Sequence, residues 1–175
     1  MTIDSAKGDV LEIAASEADA VALWLRSGFN SRSALWYFKL RDACHAAEPG
    51  GDIGSDKPWL SESDSVWELN KPLGRLKFVY IFSNPDDAHA YRSMRKVGTA
   101  ISNCLTRLSS LGARSVAMIH IPATNRRAIP TSDDDMASAR AMISAIQKWQ
   151  SQKGAPKLRV ILADRAGDFA PLLES

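Results

Sequence analysis

The sequence predicts an α/β fold, a three-layer α/β/α arrangement with a mixed, largely parallel central sheet, and three observations carry that prediction. Near-continuous apolar runs of strand length at residues 76–82, 115–121 and 158–163 suit strands covered on both faces. Helical spacings of apolar residues lie between them, so strands and helices alternate through the second half of the chain. Finally, the run ending at His120 and Ile121 passes through Pro122, Ala123, Thr124, Asn125, Arg126 and Arg127 into a helix. That is the strand-to-helix corner of a βαβ unit, where open α/β sheets bind their ligands.

Taken in order, residues 9–14 are of a length and apolar content for a short strand. Residues 20–25 form a second apolar run, ending at Arg26-Ser27-Gly28, which fits a strand or a helix. From Ser31 or Ser33 as cap, Leu35, Phe38, Leu40, Ala43 and Ala46 recur at helical spacing until Pro49-Gly50-Gly51 stops the element. Residues 49–65 are rich in Gly, Asp and Ser, which suits a flap or a mobile loop.

Residues 65–69 alternate like a half-exposed strand, and residues 76–82 read as a more buried one, with a turn at Lys71-Pro72-Leu73-Gly74 between them. The next helix carries Met94, Val97, Ile101, Cys104, Leu105, Leu108 and Leu111 on one stripe and ends at Gly112. Arg92, Arg95, Lys96 and Arg107 lie on its opposite face, as on a solvated surface. After the Arg126-Arg127 loop, Ser132 is the expected cap of a helix with Asp133, Asp134 and Asp135 in its first turn, where negative charge offsets the macrodipole. Its expected buried stripe is Met136, Ala139, Met142, Ile143, Ile146 and Trp149. A last strand and a short helix near Phe169 to Leu173 close the chain.

Length and composition bound the function. The chain has 175 residues, 45% hydrophobic and 24% charged with a formal charge of +2, as in an ordinary globular protein of one domain, residues 1–175. This charge gives no reason to expect nucleic acid as a partner, although rings such as Trp36 and Tyr37 interleave with Arg32, Lys39 and Arg41. Cys44 and Cys104 lack the spacing of a disulfide framework or a zinc site and read as reduced packing residues. The N-terminus has no apolar signal segment, and no stretch approaches the length of a membrane span, so a cytoplasmic location is expected.

The order of elements, with four local matches, resembles a macro domain, the ADP-ribose-binding module whose fold is shared with the N-terminal domain of leucyl aminopeptidases. Gly8-Asp9-Val10 resembles the family's Gly-Asp-Ile, and Asp19-Ala20-Val21-Ala22 resembles the strand that follows. Residues 115–124, with Ile121-Pro122-Ala123, resemble the strand that leads to the family's second phosphate loop, and residues 158–173 resemble its closing strand, turn and helix.

The resemblance implies an ADP-ribose-like ligand. Asp9 would accept a hydrogen bond from the adenine amino group, with Val10 beside it, and Thr124, Asn125, Arg126 and Arg127 would hold the phosphates. The chemistry departs from the family's pattern. The family's Asn-rich segment and Gly-rich loop are replaced by Leu23-Trp24-Leu25-Arg26-Ser27-Gly28-Phe29-Asn30, and Arg26 falls near the place of the Asn tied to hydrolysis. No catalytic residue is therefore assigned, and no metal site or resident cofactor is expected.

Arg126 and Arg127 precede a helix N-terminus, a place that draws phosphate or carboxylate, yet the three aspartates nearby also suit a surface loop with local ion pairs. Asp9 fits a turn or strand edge, His120 a satisfied core histidine, and Asp164 and Asp168 a polar turn. Trp59, in the Gly-rich loop, suits a pocket cover or a partner contact. With the loop at residues 49–65 and Trp59 as contact surface, the chain would be a protein-interaction module, with a homo-oligomer as one form.

Overall fold

In the computed structural model the described residues are 2–24, 42–43, 64–82, 93–123, 131–164 and 169–174. They form one six-stranded sheet in the order β1-β6-β5-β2-β4-β3. The strands are β1 (Ile3–Lys7), β2 (Ala20–Trp24), β3 (Ser65–Leu73), β4 (Leu76–Phe82), β5 (Ser115–Ile119) and β6 (Arg159–Asp164). All neighbours run parallel except the β3–β4 pair. The described helices are α1 (Val10–Glu17), α2 (Met94–Ser110), α3 (Ser132–Gln150) and the short α4 (Ala170–Leu173).

Period-two alternation sorts the inner strands onto two cores. Ala20, Ala22, Phe78, Tyr80, Phe82, Val116, Met118, Val160 and Leu162 face the layer of α2, α3 and α4, while Val21, Leu23, Val79, Ile81, Ala117, Ile161 and Ala163 face α1. Because helices cover both faces, these strands read as unbroken apolar runs. The predicted α/β/α layering with a mixed, largely parallel sheet is the observed one.

The N-terminal end differs from the sequence expectation. Residues 10–14 lie in α1, with Asp9 as its N-cap, not in a strand, and the strand is the more polar β1 before it. Val10, Leu11 and Ala14 recur at helical spacing and are buried, and the Asp9 carboxylate accepts from Leu11 N–H at 3.0 Å as N-cap. Two turns of helix are too short to separate from a strand by periodicity alone. β1 escaped notice because it is an edge strand, half exposed along its length. The run at residues 20–25 resolves as strand β2.

Other shifts are smaller. β3 continues through Lys71 and Pro72 to Leu73, with a register irregularity after Glu68, and the turn sits at Gly74 and Arg75. Pro72 is tolerated because β3 is an edge strand. Leu111 and Met136, expected on buried stripes, are exposed: Leu111 caps the end of α2, and Met136 precedes the buried stretch of α3 that begins at Ser138. Thr131, not Ser132, is the N-cap of α3. The expected helix from Ser31 or Ser33 lies outside the described residues apart from its helical positions Asp42 and Ala43, and residues 49–63 lie outside as well.

The amino-terminal rim is tied by side chains. Ser115 Oγ accepts from Asp19 N–H, and the Asp19 carboxylate accepts from Arg114 N–H, both at 2.9 Å. The Asp19 carbonyl also takes Lys77 N–H and Phe78 N–H at 2.8 and 3.0 Å. One residue thereby joins β2, β4 and β5 at their starts and fixes their stagger.

Candidate functional site at the carboxyl rim

Parallel pairing puts the carboxyl ends of β1, β6, β5, β2 and β4 on one rim. Gly8 and Asp9 follow β1 directly, Asp164 ends β6, residues 120–123 follow β5, and Trp24 and Phe82 stand opposite each other where β2 and β4 end. With strands about 4.8 Å apart, the Asp9 turn and the exit of β5 stand roughly 10 Å from each other, across β6.

Asp9 is held firmly. Gly8 N–H donates to the Asp164 carbonyl at 3.0 Å, continuing the β1–β6 ladder one step beyond the strand, and the chain then turns into α1. Asp9 lies at the N-terminus of α1, where the first amides of the helix are oriented outward and the dipole is positive. Val10 is buried at 2% exposure, so its side chain is core and only its backbone belongs to the rim.

The exit of β5 is clamped by α3. Ser138 Oγ donates to the Ile121 carbonyl, and Ile121 N–H donates to Met142 Sδ at 3.3 Å. His120 is half-buried and its ring tilts over Phe169 at 5.9 Å between centroids. Its Nε2 donates to the Asp135 carbonyl at 3.1 Å, which places a proton on that nitrogen. Expected as a core histidine inside the strand, it instead ties the post-strand segment to the first turn of α3. Phe169, buried at 2%, is fixed by its own N–H donating to the Asp164 carboxylate at 3.1 Å.

Of the residues the sequence nominated, Asp9 and Val10 are on this rim. Thr124, Asn125, Arg126 and Arg127 lie outside the described residues, as does Asp168. Ala123, the last described residue before them, is fully buried. Sequence reasoning missed His120 and Phe169 as partners. Their contact joins positions 49 apart in the chain, and no local spacing signals it. Trp24 is the other unforeseen feature: its indole Nε1 is buried and has no hydrogen-bond partner among the described residues. Among the described residues no three of His, Cys, Asp and Glu gather as a metal ion would require. Nor is any described helix long and apolar enough to cross a membrane.

Solved structures match this arrangement over nearly its full length. The macrodomain of Thermus aquaticus DarG covers 93% of this chain and 98% of its own, with 15% identity and a TM-score of 0.54. The macrodomain of Mycobacterium tuberculosis DarG covers 93% and 97%, with 15% identity and a TM-score of 0.58. The chain has the macrodomain fold. An Oceanobacillus iheyensis macrodomain solved with ADP covers 97% of this chain and 88% of its own at 9% identity, TM-score 0.54. No protein-family model and no curated protein matches the sequence. The macrodomain likeness therefore lies in backbone path, and at these identities the side chains have diverged almost throughout.

Proposed function

We propose that residues 1–175 form one divergent macrodomain that binds a nucleotide-type ligand of the ADP-ribose class at the carboxyl rim, without efficient hydrolase activity. Asp9 addresses the base. The Val10 backbone lies beside it, and the backbone of Thr124 and Asn125 with the guanidinium groups of Arg126 and Arg127 holds the phosphates.

The position of Asp9 carries the reading. It sits in a turn pinned to β6, at a helix N-terminus, on the rim where the β5 exit also opens. Rims of this kind, at the carboxyl ends of parallel strands, are where open α/β sheets take ligands. A relative of the same fold was solved with ADP. Weak or absent hydrolysis follows from β2, which ends in Leu23 and Trp24 where the family's pattern runs into an Asn-rich segment. A reducing, cytoplasmic setting fits the free, buried thiol of Cys104.

Isothermal titration with ADP-ribose tests the proposal. Asparagine caps helices as well as aspartate does, so Asp9→Asn is expected to keep the melting temperature while weakening ADP-ribose at least tenfold. Arg126→Ala combined with Arg127→Ala is expected to weaken it similarly. No heat from folded wild-type protein, or full affinity in both variants, overturns the reading.

A further inference from the structure

We propose that the outer groove between α2 and α3 is a docking site for an acidic helical segment of a partner protein. This face is distinct from the carboxyl rim and does not depend on the ligand assigned there.

The groove is a property of side-chain size. Gly98 and Ser102 of α2 face Ala141, Ser144 and Ala145 of α3, and a β-carbon at Gly98 would come within 3.9 Å of the Ala145 methyl. Small residues on both helices leave an open depression of about 540 Å³. A second depression, about 380 Å³, continues it past Trp149 and Gln152 toward Lys153. The two share those residues and so make one trough running along the helices. α2 has 17 residues, which gives the trough a length of about 25 Å, enough for four to five turns of a third helix.

Charge selects the occupant. Arg95 and Lys148 line the first depression and Lys153 the second, and no carboxylate is among the described residues that line either. The reason is legible in the chain: no Asp or Glu occurs from 88 to 132 or from 136 to 163. The acids of α3 are confined to Asp133, Asp134 and Asp135 in its first turn, away from the trough. Arg95 and Lys148 are exposed and have no carboxylate partner among the described residues. A chain near neutrality overall thus presents one helical layer whose groove carries only cations among its described charged residues, and such a surface selects a negatively charged partner.

The floor separates a helix from a nucleic acid. Trp149 is the one aromatic among the described lining residues, and it is 4% exposed with its Nε1 donating to Thr106 Oγ1 at 3.0 Å. It offers no ring face for base stacking. A shallow floor of Gly, Ala and Ser instead lets a helix approach closely, in the helix-in-groove mode, with cations at the trough's edges to meet its Glu and Asp side chains.

Fluorescence anisotropy with the full chain tests this. The probe is a labelled amphipathic peptide of about five helical turns, Ala and Leu on one face and Glu on the other. Binding at low salt is expected. It should weaken at least tenfold in Arg95→Glu combined with Lys148→Glu, two exposed changes that leave the core untouched. Gly98→Leu, which fills the floor without changing charge, should weaken it as well, with circular dichroism confirming the fold of each variant. Failure of the peptide to bind, or binding indifferent to the charge reversals, overturns the proposal. So does tighter binding of a single-stranded oligonucleotide that ignores Gly98→Leu, or a concentration-dependent dimer mass in light scattering that the charge reversals abolish.

Discussion

At Gly74 the chain turns from β3 into β4 with φ at +60°, and a β-carbon there would stand 2.3 Å from the Ala15 carbonyl oxygen. That carbonyl takes Arg75 N–H at 2.8 Å, so the hairpin turn is bolted to the last turn of α1. Two requirements coincide, left-handed backbone and close approach to another backbone, and glycine alone meets both. Gly74→Ala is expected to cost roughly 2–3 kcal/mol, read as a lower urea midpoint with an unchanged slope. The sequence shows a glycine near a turn. It does not show the helix against which that glycine must fit. Asp9 has the same double character: its residue type was legible as a candidate, while its service as a helix cap emerged only with α1.

Among the elements, α3 shows how a start is chosen between two good candidates. Thr131 and Ser132 both suit an N-cap, but Asp134 lies three residues beyond Thr131, and the pair closes a reciprocal capping box. The Thr131 hydroxyl accepts from Asp134 N–H at 3.3 Å, and the Asp134 carboxylate accepts from Thr131 N–H at 3.1 Å. Thr131→Ala is expected to lower stability by about 1 kcal/mol, and Thr131→Ser to restore most of it, measured by urea denaturation. The long elements were legible because burial on one face repeats over four or five turns in α2 and α3. α1 was not, since eight residues give too few repeats, nor was β1, whose edge position removes the apolar pattern.

For the whole molecule, Cys104 reports on the integrity of the larger core. It is fully buried on α2 against the sheet, and burial, reinforced by the nearby charge of Asp64, pushes its thiol well above the ordinary value of 9.0. Iodoacetamide at neutral pH is expected to leave Cys104 unmodified in the folded protein and to react once urea opens it, as peptide mass spectrometry would show. The sign of the pH dependence follows from the raised value. Above pH 9.0 the unfolded chain releases this proton while the folded chain retains it, so the thiol's contribution to stability is present below that pH and falls as pH rises above it. The loss of stability between neutral and alkaline pH should therefore be shallower in Cys104→Ala than in the parent.

The sequence by itself pointed to the layering, because alternation of apolar runs with helical periods is a local property that an α/β sandwich satisfies. It also offered Asp9 as a candidate and read the charged face of α2 as a solvated helix surface, since those residue types stand in the chain regardless of packing. Tertiary structure decided the rest: strand order, the shared rim of β1, β6 and β5, the His120–Phe169 contact, and the groove that gathers Arg95 with Lys148. Each of these joins residues far apart in the chain, and proximity of that kind arises only when burial of the two faces of the sheet fixes which strand lies beside which.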